Sequence, residues 1–305
     1  MIMKQPTKNL HQEHIEDGIL TGDKTPLLWL NALQKSHIST KIDGAPAIVW
    51  GRNPATGNQF VGTKSVFNKV KIKINETHND IDINHGHTPK VAAILHTCFD
   101  NLPSTSNIYQ GEFIGEGGTN EYTSNTITYK FDEVINHNII IAPHTIYYAK
   151  NDLREATSQP LCNKLVKDDY VMWIQPDAWF TDNEDIEDML KFANQISTLC
   201  EFVSDRKAVQ IKKCINTFIR EDRELDDDEL SNVADCDINL IRYWKLIKAI
   251  KDDMLQIIDN NGPDAYIGYN RIEGEGYTLT NKFGTYKLVN RECFSKYNFV
   301  MGICR

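Results

Sequence analysis

The chain has 305 residues, 41% hydrophobic and 25% charged, with a formal net charge of −9. This is an ordinary soluble composition, enough for one large domain or two modest ones. A general nucleic-acid binder is disfavoured, because phosphate contacts need local Lys and Arg; such binding would require a basic patch within an acidic protein. No apolar run approaches the roughly 20 residues of a membrane span. Met1 to Asp17 is polar and has no signal-peptide core. Cysteines at 98, 162, 200, 214, 236, 293 and 304 are odd in number and include no CxxC pair, so reduced thiols and a cytoplasmic location are expected.

Taken in order, Thr25-Pro26 followed by Leu27, Leu28, Leu30 and Leu33 predicts a helix with proline at its first position. Residues 38–52 read as one strand, turned at Asn53–Asn58 into a second strand over 60–67. Lys64, Lys69, Lys71 and Lys73 then form the densest basic cluster. Thr88-Pro89 opens another helix. Strands are expected at 107–115, 126–131, 138–142, 145–149 and 170–174. From Asn183 the apolar spacing becomes helical, in segments around 186–203, 211–219 and 238–257. The acidic run 221–229 reads as a solvated connection. After Asn260-Asn261-Gly262-Pro263 the chain from Arg271 onward is β-like again. The expected architecture is α+β: a β-rich body (1–182 and 261–305) with a helical insertion (183–260).

The stretch Lys41-Ile42-Asp43-Gly44 stands out because a lysine runs directly into an apolar segment. Burial disfavours an ammonium, and the neutral amine is a nucleophile. Three more polar knots follow: Gly111-Glu112, Glu273-Gly274-Glu275-Gly276, and Tyr286-Lys287-Leu288. Singly, each reads as a solvent-facing residue of a half-buried strand.

Together, in the order lysine, glutamate, glutamate, lysine, they resemble the covalent nucleotidyltransferase superfamily of ATP-dependent DNA ligases, RNA ligases and mRNA capping enzymes. Lys41-x-Asp43-Gly44 is similar to the family's first motif and is the most specific piece. Glu112, Glu275-Gly276 and Lys287 resemble its later motifs, and Phe131 the aromatic that stacks the base, with Tyr147 in reserve. The resemblance spans residues 38–150 and 271–291. It implies an antiparallel-sheet, ATP-grasp-like adenylation domain. Lys41 would attack the α-phosphorus of ATP, and Lys287 would neutralise phosphate charge in the transition state. Glu112 would accept from ribose hydroxyls, and Glu275 would hold Mg²⁺ or Mn²⁺. Gly44 and Gly276 would allow close backbone approach.

The family's arginine two places after the motif glycine is Pro46 here, which leaves Arg52 or Lys64 as replacements. Its second lysine after Lys287 is Val289, with Lys282 nearest. Too few residues follow Lys287 for the OB-fold of DNA ligases and capping enzymes. The expected activity is therefore RNA ligation through lysyl-AMP by a monomer acting on nucleic-acid ends, with no membrane partner. DNA ligation and a non-ligase nucleotide-binding or transfer role are the alternatives. The basic cluster 64–73 is the candidate for phosphate contacts. His85-Gly86-His87 reads as a loop, Gly115–Gly118 as a turn, Lys212-Lys213 as solvated, and Trp29, Tyr243 and Trp244 as core.

Overall fold

The computed structural model describes residues 7–8, 13–182 and 186–291. The fold is α+β, and its pairings are antiparallel apart from the parallel strand Val171–Trp173 and an isolated parallel bridge between His14 and Lys287. The largest sheet has seven strands. Its centre runs Gln59–Gly62, Ala47–Arg52, Ile108–Glu116, Ile139–Tyr148 and Thr157–Pro160. One face of this sheet carries Ile48, Trp50, Phe113, Ile139 and Ile141. They pack with Ile81, Ala92, Ile94, Leu95 and Cys98 of the helices His78–His85 and Pro89–Asn101. The other face holds two smaller clusters. One contains Val49, Phe60, Ile108 and Tyr147; the other contains Ile42, Ile114, Tyr129, Ile140 and Ala142. Strand alternation puts Gln110 and Glu112 on that second face, between the two clusters.

A separate three-stranded sheet joins His37–Thr40, Tyr277–Asn281 and Gly284–Leu288. Its face bearing Ile38, Tyr277, Leu279 and Leu288 packs on the helices Thr25–Asn31, Glu187–Ser197, Asp205–Arg220 and Ile238–Gln256 in one core. The helical segment thus shares its interior with residues from both ends of the chain, Ile15 to Leu33 and Tyr277 to Leu288.

The expected single strand over 38–52 is two strands in two different sheets, and the Lys41–Pro46 stretch is the crossover between them. The cause is local. The Lys41 amide closes the smaller sheet by donating to Gly276 O at 2.8 Å. The Asp43 amide leaves the ladder and donates to the Tyr129 hydroxyl at 2.6 Å. Pro46 has no N–H to give. The strands expected at 138–142 and 145–149 are instead one, Ile139–Tyr148, kept continuous across Pro143 by an irregularity of register.

Two helices escape the sequence reading. Thr77 and Asp80 form a reciprocal cap for His78–His85, so His85 ends a helix rather than lying in a loop. The acidic run holds Asp227–Ala234. The Asp226 carboxylate accepts from Glu229 N at 2.9 Å, and the acids of the first turn favour the positive end of the helix dipole. The last part of the expected C-terminal β segment, with Cys293 and Cys304, lies outside the described residues. No described helix is long and apolar enough to cross a membrane.

Candidate active site

The crossover brings the four polar knots together. The Lys41 Nζ donates to Glu275 Oε1, across 234 positions of sequence. Burial raises the pKa of Glu275. The Lys41 charge opposes that rise, and the negative charges of Asp43 and Glu112 add to it. The second oxygen of Glu275 is buried and has no hydrogen-bond partner. Lys287 lies opposite Thr278, which in turn lies opposite Ser39, so these three share the polar face of the small sheet. Burial lowers the pKa of Lys287, and the positive charge of Lys41 lowers it further. Two lysines and a carboxylate therefore sense one another where the two sheets meet.

Asp43 has a different task from its neighbours. Its Oδ1 accepts from Asn125 Nδ2 at 2.8 Å, and its Oδ2 accepts from the backbone amides of Thr126 and Ile127 at 2.9 and 3.2 Å. The carboxylate is spent on the loop that leads into Thr128–Lys130, and it fixes the crossover. Tyr129, which receives the Asp43 amide, is buried, and burial raises its phenol pKa. Gly44 is a close-approach position: a Cβ there would lie 2.7 Å from both Glu112 Cβ and Ile114 Cδ1. The motif backbone thereby rests on the Glu112 strand. The Ala45 amide donates to Phe113 O at 3.2 Å, and the Phe113 amide to Pro46 O at 3.1 Å.

The register puts Ala47 opposite Glu112 and Glu112 opposite Ala142. Val49 lies opposite Gly62, so exposed Lys64 emerges at the end of the sheet where Ala47 enters. Lys69 and Lys71 are exposed nearby in sequence, while the Lys73 ammonium donates to Asn84 O at 2.7 Å.

Other expected positions do not join the cluster. Arg52 is at the opposite end of its strand, donating to Gly57 O at 2.7 Å and Ser104 Oγ at 3.1 Å. Lys282 lies in the hairpin turn, its ammonium 4.8 Å from the centre of the Phe283 ring. Phe131 is half-buried against Tyr122, ring edge to face at 6.0 Å. Tyr147 is buried, stacks on Phe67 at 4.3 Å and donates to Gln110 Oε1 at 2.7 Å.

The chain belongs to a family of unknown function (DUF6267). The family pattern matches residues 9–237 and 228–302, which include every member of the cluster. No curated protein and no solved structure matches the chain.

Sequence reasoning missed a charged network next to Lys287. The Lys287 amide donates to Glu13 O at 3.2 Å, and the adjoining 3₁₀ turn Ile15–Ile19 buries Glu16 and Asp17. Lys251 of helix Ile238–Gln256 donates to Glu16 at 2.9 Å, with both side chains fully buried. Arg291 donates to Asp17 at 2.8 Å, and Trp244 Nε1 donates to the same carboxylate at 3.0 Å. His14 lies against this network. Burial, with Arg291 and Lys251 close by, brings its pKa down to about 3. The sequence signal was an isolated lysine on the apolar side of a long helix.

His144 was missed as well, although the break at Pro143-His144 had divided the expected strand. A cleft of about 470 Å³ lined by Thr97, Asn101, Glu116, His137 and Asn138 contains none of the clustered residues.

Proposed function

We propose that the protein is an ATP-dependent RNA ligase with a nucleotidyltransferase-type adenylation domain that acts through a lysyl-AMP intermediate. The observation that carries this reading is the meeting of Lys41 with Glu275 beside Lys287. Lys41 Nζ attacks the α-phosphorus, a P–N bond forms, and the bond to pyrophosphate breaks. Glu275 touches the amine, and its raised pKa suits it to take the proton that the ammonium must lose. Lys287, held with a lowered pKa beside Lys41, supplies positive charge near the phosphate. In the second step the 5′-phosphate end of an RNA attacks the same phosphorus and releases Lys41. In the third a 3′-hydroxyl displaces AMP and seals the strand. Exposed Lys64, Lys69 and Lys71 suit phosphate contacts at that edge of the sheet.

The donor set fits Mg²⁺ or Mn²⁺ only with help from water and nucleotide. Glu275 has a buried, unpartnered oxygen, whereas the Asp43 carboxylate is already fully engaged. No group of three His, Cys, Asp or Glu converges on a metal position among the described residues. Mg²⁺ favours one or two carboxylates with retained waters and phosphates, so Glu275 would hold it, and its charge would offset that of the phosphates.

A second reading has its own support. Arg52 and Lys282, the replacements for the missing arginine and second lysine, are both engaged elsewhere. That favours a nucleotidyl transfer that stops short of strand sealing or uses another acceptor, DNA ends included. ATP labelled at the α-phosphate separates these readings. Acid-labile label on the protein, absent in Lys41→Ala, supports the covalent step. Chase with nicked RNA, single-stranded RNA and nicked DNA identifies the acceptor. Absence of label on the wild-type protein overturns the covalent reading.

A further inference from the structure

The strand pairing around Glu112 contains a bulge. Gln110 pairs with Thr145 and Gly111 with Pro143, which leaves His144 as the extra residue of its strand. Bulges re-aim a side chain. Here both strands enforce one: Pro143 has no N–H for the ladder, and a Cβ on Gly111 would lie 2.7 Å from Ala142 O and 2.8 Å from Pro143 Cα. The His144 carbonyl accepts from the Leu161 amide at 2.9 Å, which holds the bulged backbone in place.

The result is an imidazole on the same face as Glu112, with Nε2 at 3.3 Å from Glu112 Oε1. Its Nδ1 lies 2.7 Å from the Thr145 hydroxyl. Gln110 turns its amide NH₂ toward His144 Nε2 at 3.4 Å, while its oxygen accepts from Tyr147. The Glu112 carboxylate assigns the ring proton, since Nε2 can satisfy it only as a donor. An ionised carboxylate only accepts, so the arrangement that satisfies Glu112 has the Thr145 hydroxyl donating to Nδ1 and Nε2–H donating to Oε1, and in it the Gln110 NH₂, a donor facing a donor, makes no bond to the ring.

We propose that His144 is a positioning residue for Glu112: it holds one carboxylate oxygen so that the other is aimed at a hydroxyl of the bound nucleotide. This inference rests on the reading of the cluster as a nucleotide site. The Glu112 side chain is partly exposed, at 22%, on the face that also carries Gln110. Without a fixed partner its side chain samples several rotamers, and each ligand contact must repay that freedom. The bulge fixes it in advance.

Two measurements test this. The first is ATP affinity in wild type, His144→Ala, His144→Gln, Glu112→Ala and the double variant with both alanines. His144→Ala is expected to weaken binding about tenfold, the size of one charged hydrogen bond. His144→Gln is expected to recover most of the loss, because its amide can donate from near the imidazole Nε2. In the Glu112→Ala background, His144→Ala should have no further effect. An unchanged affinity, no recovery with glutamine, or an equal loss in both backgrounds overturns the proposal.

The second needs no ligand: the imidazole ¹⁵N spectrum of His144 in wild type and Glu112→Gln. A protonated Nε2 that shifts on the substitution supports the pairing, and an indifferent imidazole overturns it. If the wild-type protein binds no nucleotide, the reading of the site fails and the spectrum alone decides whether His144 holds Glu112.

Discussion

The ammonium of Lys41 and the carboxylate of Glu275 touch across the junction of two sheets. Lys41 follows the first strand of the small sheet, and Glu275 precedes the second. Because the motif is a crossover rather than a strand, its lysine meets Glu275 instead of a ladder neighbour. Glu275→Gln keeps the shape but removes the charge and the proton acceptor. Adenylyl uptake by this variant is expected to fall at least about a hundredfold, within the usual range for loss of general acid–base help. The thermal transition should stay cooperative. Uptake within a few-fold of wild type contradicts the proton-acceptor role.

Asp43 tests whether the motif aspartate is structural. Its removal takes away the carboxylate that accepts from the Thr126 and Ile127 amides and the Asn125 side chain. Asp43→Ala is expected to destabilise the protein by about 2–3 kcal/mol in denaturant unfolding. Asp43→Asn should cost less, because its amide oxygen still accepts. A cost under about 0.5 kcal/mol for the alanine variant contradicts the anchoring role.

Gly44→Ala forces a Cβ to within 2.7 Å of Glu112 and Ile114. Separation of the two strands is expected to cost about 1–3 kcal/mol. It should also displace Lys41 from Glu275, so adenylyl uptake should fall by more than the loss of folded protein explains. Normal uptake per folded molecule contradicts the close-approach argument.

The buried pair Lys251–Glu16 predicts a non-additive cycle. Lys251→Met alone leaves Glu16 buried with Arg291, at 3.5 Å, as its remaining cation among the described residues, and is expected to cost about 3–5 kcal/mol. Adding Glu16→Leu should return much of that loss. Denaturation of the two single variants and the double variant checks it. Additive costs contradict a coupled pair.

His14 predicts an acid limb of stability. Its folded pKa is lowered to about 3, below the ordinary histidine value of about 6.5. Between these values the unfolded chain binds the proton and the folded chain does not. Stability is therefore lost as pH falls from about 6.5 towards 3. His14→Asn removes the titration and should flatten this part of the curve of melting temperature against pH. An unchanged slope contradicts burial of neutral His14.

The sequence made the helix with proline at its first turn, the 53–58 hairpin and the long apolar helices legible, because each rests on local spacing or turn chemistry. The split of 38–52 between two sheets was not legible. A stretch that reads as one strand hides a crossover whose cause lies in Asn125, Thr126 and Tyr129, far along the chain. The helix Asp227–Ala234 was hidden because acidic residues read as solvated when they also act as caps. In the site, Lys41, Glu112, Glu275 and Lys287 were singled out as short polar knots in apolar strands. Arg52 and Lys282 are the replacements the sequence offers, but antiparallel geometry carries Arg52 to the far end of its strand and leaves Lys282 in the hairpin turn. His144 and the Glu16–Lys251 pair were missed because their meaning comes from a bulge and from partners more than 30 and 200 positions away.

The central claim is a covalent bond between Lys41 and an adenylyl group. Peptide mass spectrometry after incubation with ATP and Mg²⁺ reads it directly. The account predicts a single adenylyl adduct on the Lys41 peptide, lost on adding pyrophosphate and absent in Lys41→Ala. No adduct on the folded wild-type protein, or an adduct that persists in Lys41→Ala, contradicts it.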